Sequence, residues 1–250
     1  MTALFQSKYR PLWITACALV LTPMFLLGIG LTYDVATVVV LLALAAMALN
    51  LLVGYTGLVS FGHSAWFGIG GYAAALAHLH WFPNQMWFTA ALSLVIGFLV
   101  LRRRGVYFSL LTLALCALTF AIAFRWTAVT GGEGGLGGIE RGTLGPISLD
   151  EHLNYYIVVA VIAFVVVYGL WRVVRSPFGH VLTAIRENEQ RAIFQGYDTD
   201  KYKLLAFVIS ATVTALAGGL LIFLHRLAAA ESTTVAFSGE FLAMVVIGGM

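Results

Sequence analysis

Apolar runs of about 20 residues, free of charge, recur along this chain, and each is long enough to cross roughly 30 Å of hydrocarbon. In lipid every backbone N–H and C=O must find a partner within the protein, so only helices and closed barrels can span. Barrel strands would alternate apolar and polar residues, whereas these runs are uniformly apolar. The expected fold is therefore all-α, a polytopic transmembrane helical bundle. With 10% charged residues against 61% hydrophobic ones, a soluble fold could not cover its surface.

About eight spans are predicted: Leu12–Leu31, Val35–Val53, His63–Leu79, Met86–Leu101, Val106–Phe124, Tyr155–Trp171, Leu204–Leu224 and a last one starting near Phe241. Lys8 and Arg10 precede the first run, which is long for a signal h-region and lacks a clean cleavage site, so an uncleaved span is expected. With the N-terminus cytoplasmic, inner segments carry 11 of the 14 Lys and Arg residues, and the outer ones carry Arg125, Arg141 and Arg226. The positive-inside rule selects that orientation. The chain then reads as a single membrane domain over 1–250, with a cytoplasmic docking segment at about 175–203 and a Gly-rich outer loop at about 125–154. A helix ending at Met250 within hydrocarbon would leave its last carbonyls without partners, so the natural protein is expected to continue. The alternative is a short interfacial helix.

Under this threading no Asp, Glu, Lys or Arg falls in mid-membrane, where ion-coupled carriers usually hold their coupling ion. Energy for active transport would then enter from outside the lipid. The chain has no GxxxxGK[ST] phosphate loop, and Gly132–Gly137 matches GxGxxG without the strand and helix that a dinucleotide site needs. Cys17 and Cys116 fall inside spans and read as small core residues. No metal or cofactor constellation and no catalytic pair is evident, and the clustered basic residues read as topology signals rather than a nucleic-acid footprint.

The charged stretch from Arg172 to Lys203 interrupts this apolar pattern. Ser176-Pro177-Phe178-Gly179 signals a turn, and His180–Gln195 reads as one helix ending at Gly196. On a helical wheel Val181, Leu182, Ile185, Ala192 and Ile193 share a face, with Glu189 inside it and Arg186 within reach at i−3. An interfacial helix and a helix docked on a soluble partner both fit. Gly54, Gly57, Gly62, Gly68, Gly70 and Gly71 punctuate another stretch that carries Asn50, Tyr55, Thr56, Ser60 and His63. Glycines permit close helix approach or a break beside a polar cavity. This stretch is a candidate translocation path, with helix packing as the alternative, and His63 is either a path residue or a hydrogen-bonded core histidine.

Ala48–Ala75, Arg104–Gly138 and Arg172–Ser210, with Ala215–Leu221 and Met244–Gly249, resemble the permease subunits of branched-chain amino acid ABC importers, the LivM-like group. The similarity runs over most of Val35–Met250. It implies a subunit of the bacterial inner membrane that transports branched-chain or related amino acids and is not itself an enzyme. It also implies a second permease subunit, two cytoplasmic ATPase subunits and a periplasmic substrate-binding protein as partners. In such importers a cytoplasmic EAA-like loop inserts into the ATPase. Ala192 and Gly196 keep its Ala-x-x-x-Gly spacing, while Glu189 sits one position early and Gln190 occupies the Glu slot. The implied ATPase-coupling residues are Ile185, Glu189, Ala192 and Gly196. The rival reading is a stand-alone carrier or channel for small polar solutes.

Overall fold

The computed structural model describes residues 10–80, 108–141, 143–144 and 147–249. Helix α1 spans Arg10–Gly28 and α2 spans Tyr33–Asn50, continuing into one π-helical turn at Leu51–Thr56. Helix α3 is His63–His80 and α4 is Phe108–Arg125; a short α5, Thr127–Thr130, leads into a 3₁₀ turn at Gly132–Gly134. Strands β1 (Thr143–Leu144) and β2 (Ile147–Ser148) pair antiparallel, a small hairpin in an otherwise helical chain. Then follow α6 (His152–Val174), α7 (Pro177–Glu187), α8 (Glu189–Phe194) and α9 (Thr199–His225). A 3₁₀ turn at Ala230–Thr233 precedes α10, Val235–Gly248.

Four segments, 11–28, 33–56, 152–174 and 199–225, are long and apolar enough to cross a membrane. A fifth counts if the pair Ser109–Arg125 and Thr127–Gly134, bent by 78°, is one span. The expected count of about eight also included α3, the shorter α10, and Met86–Leu101, which lies outside the described residues. The last helix begins at Val235, not near Phe241, because the Thr234 side chain caps it by accepting the Phe237 N–H at 3.3 Å. That shift places Glu240 inside an apolar helix, on its exposed side. At 14 residues, α10 is not among the helices long enough to cross a membrane.

Helix α9 is the centre of the bundle: nearly all of its apolar span is buried, whereas almost none of α1 is. It packs on α3 and α2, and α10 packs on the same two helices. Glycines set its approach to α3. A Cβ at Gly70 would run into the Ala215 backbone, and one at Gly218 into the Phe67 carbonyl. Small residues of this kind let backbones meet where lipid supplies no hydrophobic drive between helices. One core layer gathers Leu41, Tyr72, Tyr155, Leu220 and Phe223; a second gathers Leu49, Leu52, Trp66, Phe67, Leu182 and Phe241. Val20, Met24 and Phe25 on α1 and Val161 and Val165 on α6 are exposed, an apolar outer face suited to lipid.

Candidate functional site

The charged segment folds as two helices, not the single helix expected over His180–Gln195. Asn188 breaks it. Its backbone is extended (φ −158°, ψ 100°), and its side-chain oxygen accepts the Arg191 N–H at 3.0 Å, capping α8. Val181, Leu182, Ile185 and Ala192 are buried as expected, but the break turns Ile193 outward, to 46% exposure. Phe194 beside it is 86% exposed, so the tip of α8 is an uncovered apolar knob. Gly196 ends α8 with φ +89°; its N–H bonds the Ile193 carbonyl and the Tyr197 N–H bonds the Ala192 carbonyl. This is the Schellman closure that the Gly signalled.

Glu189 does not pair with Arg186. It accepts from Lys203 at 2.5 Å and from the Thr199 hydroxyl at 3.2 Å, tying α8 to the start of α9. The pair is partly exposed, with side chains 22% and 43% accessible, and such pairs contribute about 1 kcal/mol or less. Glu189→Arg should therefore lower the thermal stability of the purified chain only slightly. Adding Lys203→Glu should restore that small loss, and a large drop in melting temperature from Glu189→Arg alone would contradict the surface reading.

The candidate path residues fall into two groups. Asn50, Tyr55 and Thr56 sit at or within the π-helical turn. The Thr56 hydroxyl donates to the Leu51 carbonyl at 3.0 Å, and the chain then leaves the helix at Gly57, φ +75°. The side chain of Asn50 lies where a Cβ on Gly54 would be. Ser60 and His63 are fully buried beyond the break. His63 Nε2 lies 3.1 Å from Ser210 Oγ and 2.9 Å from Thr214 Oγ1. Ser210 donates its own proton to the Ala48 carbonyl and Thr214 donates to the Ser210 carbonyl. Both hydroxyls can therefore only accept from the ring, which places a proton on Nε2. The His63 backbone N–H donates to Ser238 Oγ at 2.8 Å. The histidine thus joins α2, α3, α9 and α10 at one buried point.

The chain between α9 and α10 is irregular yet packs inside the bundle. Thr233 lies against Gly68, and its carbonyl accepts the Cys116 thiol at 3.1 Å. The Thr234 carbonyl accepts the Ser64 hydroxyl at 2.8 Å. Side chains satisfy backbone that no helix satisfies, the condition for non-helical structure at membrane depth. The small polar residues of α3 and α4 signalled this only in retrospect.

Arg141, read from the sequence only as an outer charge, is 3% exposed. Its Nε donates to the Phe223 carbonyl at 3.1 Å and a terminal nitrogen donates to Leu224 at 2.8 Å. It therefore caps the end of α9, where a cation also meets the negative end of the helix dipole. Its guanidinium lies 4.7 Å from the Tyr155 ring centroid and 3.7 Å from Asp34. The Gly-rich loop is fastened to the same place by the Leu136–Ala228 bridge. Gly132–Gly137 lies in this loop, with neither the strand nor the helix of a nucleotide fingerprint around it.

A bundle with an apolar outer face around one buried helix is that of a multi-pass membrane protein. The model of the family described as branched-chain amino acid transport system / permease component matches residues 31–250, and the chain belongs to that family. It is 29% identical to the high-affinity branched-chain amino acid transport system permease protein LivM of Escherichia coli (strain K12), covering 88% of this chain and 59% of that protein. It is also 29% identical to the LivM protein of Salmonella typhimurium (strain LT2), covering 87% of this chain and 58% of that one. The chain thus spans somewhat under two thirds of the curated relatives it matches. No solved structure matches it.

Proposed function

We propose that this chain is the transmembrane permease subunit of an ATP-driven importer for branched-chain or related amino acids. It forms half of a translocation path and takes its energy from cytoplasmic ATPase subunits. The observation that carries the reading is the α7–α8 unit of a family permease, capped at Asn188 and Gly196, with its Phe194 tip 86% exposed. Ile185 and Ala192 hold the unit's shape by burial, Gly196 ends it, and Glu189 ties it to α9. The tip fits a groove on a soluble partner better than it fits water.

In this reading the assembly lies in the bacterial inner membrane with the N-terminus cytoplasmic and about eight spans in this chain. Residues 175–203 dock on a cytoplasmic ATPase subunit, of which the assembly has two, and the loop at 125–154 faces a periplasmic binding protein. A second permease subunit covers part of the apolar surface. Asn50, Tyr55, Thr56, Ser60 and His63 belong to the path wall, and closure of the ATPases rocks the spans through α7 and α8. Small positional shifts of packed helices suffice for such switching.

The test is uptake into vesicles by the complete assembly. Glu189→Arg and Gly196→Arg should each abolish solute uptake while ATPase subunits and membrane insertion stay at parental levels. Wild-type uptake by both variants would refute the coupling role. Uptake by the chain without any ATPase, abolished by collapsing the proton gradient, would show a stand-alone carrier instead.

A further inference from the structure

We infer that Arg186 is a positioning residue that latches the docking segment to the break in α2, and so carries motion from α7 to the path residues. The inference rests on the coupling reading above and assigns it a residue outside the EAA-like positions. One Arg186 terminal nitrogen donates to the Gly54 carbonyl, which belongs to the π-helical turn. That turn is a helix C-terminus: Gly57 adopts φ +75° and the Leu58 N–H closes back on the Leu52 carbonyl at 3.0 Å. The last carbonyls of a helix have no partner within it, and a cation there meets the negative end of the dipole. Arg186 supplies that cap from a separate element.

The surroundings make the contact a rigid one. A Cβ on Gly57 would lie 3.3 Å from Arg186 Cγ, so the two backbones are close and the Arg stem lies against the turn. One turn earlier on α7, Leu182 is fully buried in the same cluster as Leu51, Leu52 and Val53. Against Gly54 also lies Asn50, whose side chain occupies the space a Cβ would take. Two contacts therefore connect α7 to Asn50, and Tyr55 and Thr56 ride on the same turn. A tilt of α7 either drags the turn or uncaps it, and both outcomes move the path wall. The neighbouring Arg191, by contrast, lies on the exposed side of α8, away from this turn.

The experiment uses the complete membrane assembly with Arg186→Met, Arg186→Lys and, as a control, Arg191→Met. Solute transported per ATP hydrolysed should fall about tenfold in Arg186→Met, in the range of ordinary coupling between sites. ATP hydrolysis and the amount of co-purifying ATPase should remain. Arg186→Lys keeps a cationic donor and should recover part of the ratio, and Arg191→Met should keep all of it. A second readout is the modification rate of a cysteine placed by Tyr55→Cys, with and without ATP. That rate should respond to ATP in the parent and not in the Arg186→Met chain. A merely structural role would instead reduce assembly yield, hydrolysis and transport in proportion. That result, or an unchanged transport ratio in Arg186→Met, would overturn the inference. Absence of any ATPase in the parent assembly would overturn the coupling reading itself.

Discussion

Gly70→Leu should separate the two helices at the heart of the bundle and lower the melting temperature of the purified chain by up to roughly 12 °C. Gly70 faces the Ala215 backbone, and a Cβ there would meet carbonyl and Cα atoms rather than a side chain that could swing away. Overpacking against a rigid neighbour costs typically up to about 3 kcal/mol, and each kcal/mol moves the melting temperature by about 2 to 4 °C in a domain of this size. The same shift would pull His63 from Ser210 and Thr214, because those contacts cross the same α3–α9 seam. Gly169→Leu is the matched control. Gly169 lies on α6, and a Cβ there meets nothing within 4 Å. Its replacement should leave stability nearly unchanged, as leucine is the better helix former. Equal melting of the two variants would mean that the α3–α9 contact is not the close glycine seam described.

Arg141→Met should cost about as much. The substitution keeps an apolar stem but removes the donors that cap the Phe223 and Leu224 carbonyls. Hydrogen bonds from a charged group contribute about 1.5 to 3 kcal/mol each, and these two share one buried guanidinium. A loss on the order of 3 kcal/mol is expected, measured as a fall in unfolding midpoint in detergent. Arg141→Lys should recover only part of it, since an ammonium is a point donor and cannot reproduce the planar fork over two carbonyls. The Gly-rich loop should also become more easily cut by protease in Arg141→Met, because Arg141 is one of its fastenings to the end of α9. The Leu136–Ala228 bridge is another. Parental stability and parental cleavage in Arg141→Met would remove Arg141 from this role.

The two predictions concern residues of opposite legibility. Gly70 stood out in the sequence because glycine within an apolar run has few explanations, namely close approach or a break. The structure divides the glycines between the two. Gly62, Gly68, Gly70 and Gly71 lie where a Cβ would collide with another element, while Gly57 takes the left-handed turn at the break. Arg141 did not stand out. A basic residue in a loop carries the same topology signal whether it is solvated or buried, and the carbonyls it caps lie more than 80 positions away. Arg186 shows the same limit. Its spacing to Glu189 suggested a local pair, yet each side chain found a partner on another element once Asn188 broke the helix between them.

What this sequence determined by itself was local and periodic. Apolar run length demanded helices in lipid, the charged insert marked an element outside the apolar spans, and Gly196 ended that element where the pattern said it would. Tertiary structure alone decided which helix is central, where the last helix starts, and which carbonyls receive Arg141, Arg186 and His63's neighbours. The physical reason is that in a membrane protein nearly every helix is apolar all round. Hydrophobicity therefore cannot say which face is buried, and that choice falls to close backbone approach and to unpaired polar groups seeking distant partners.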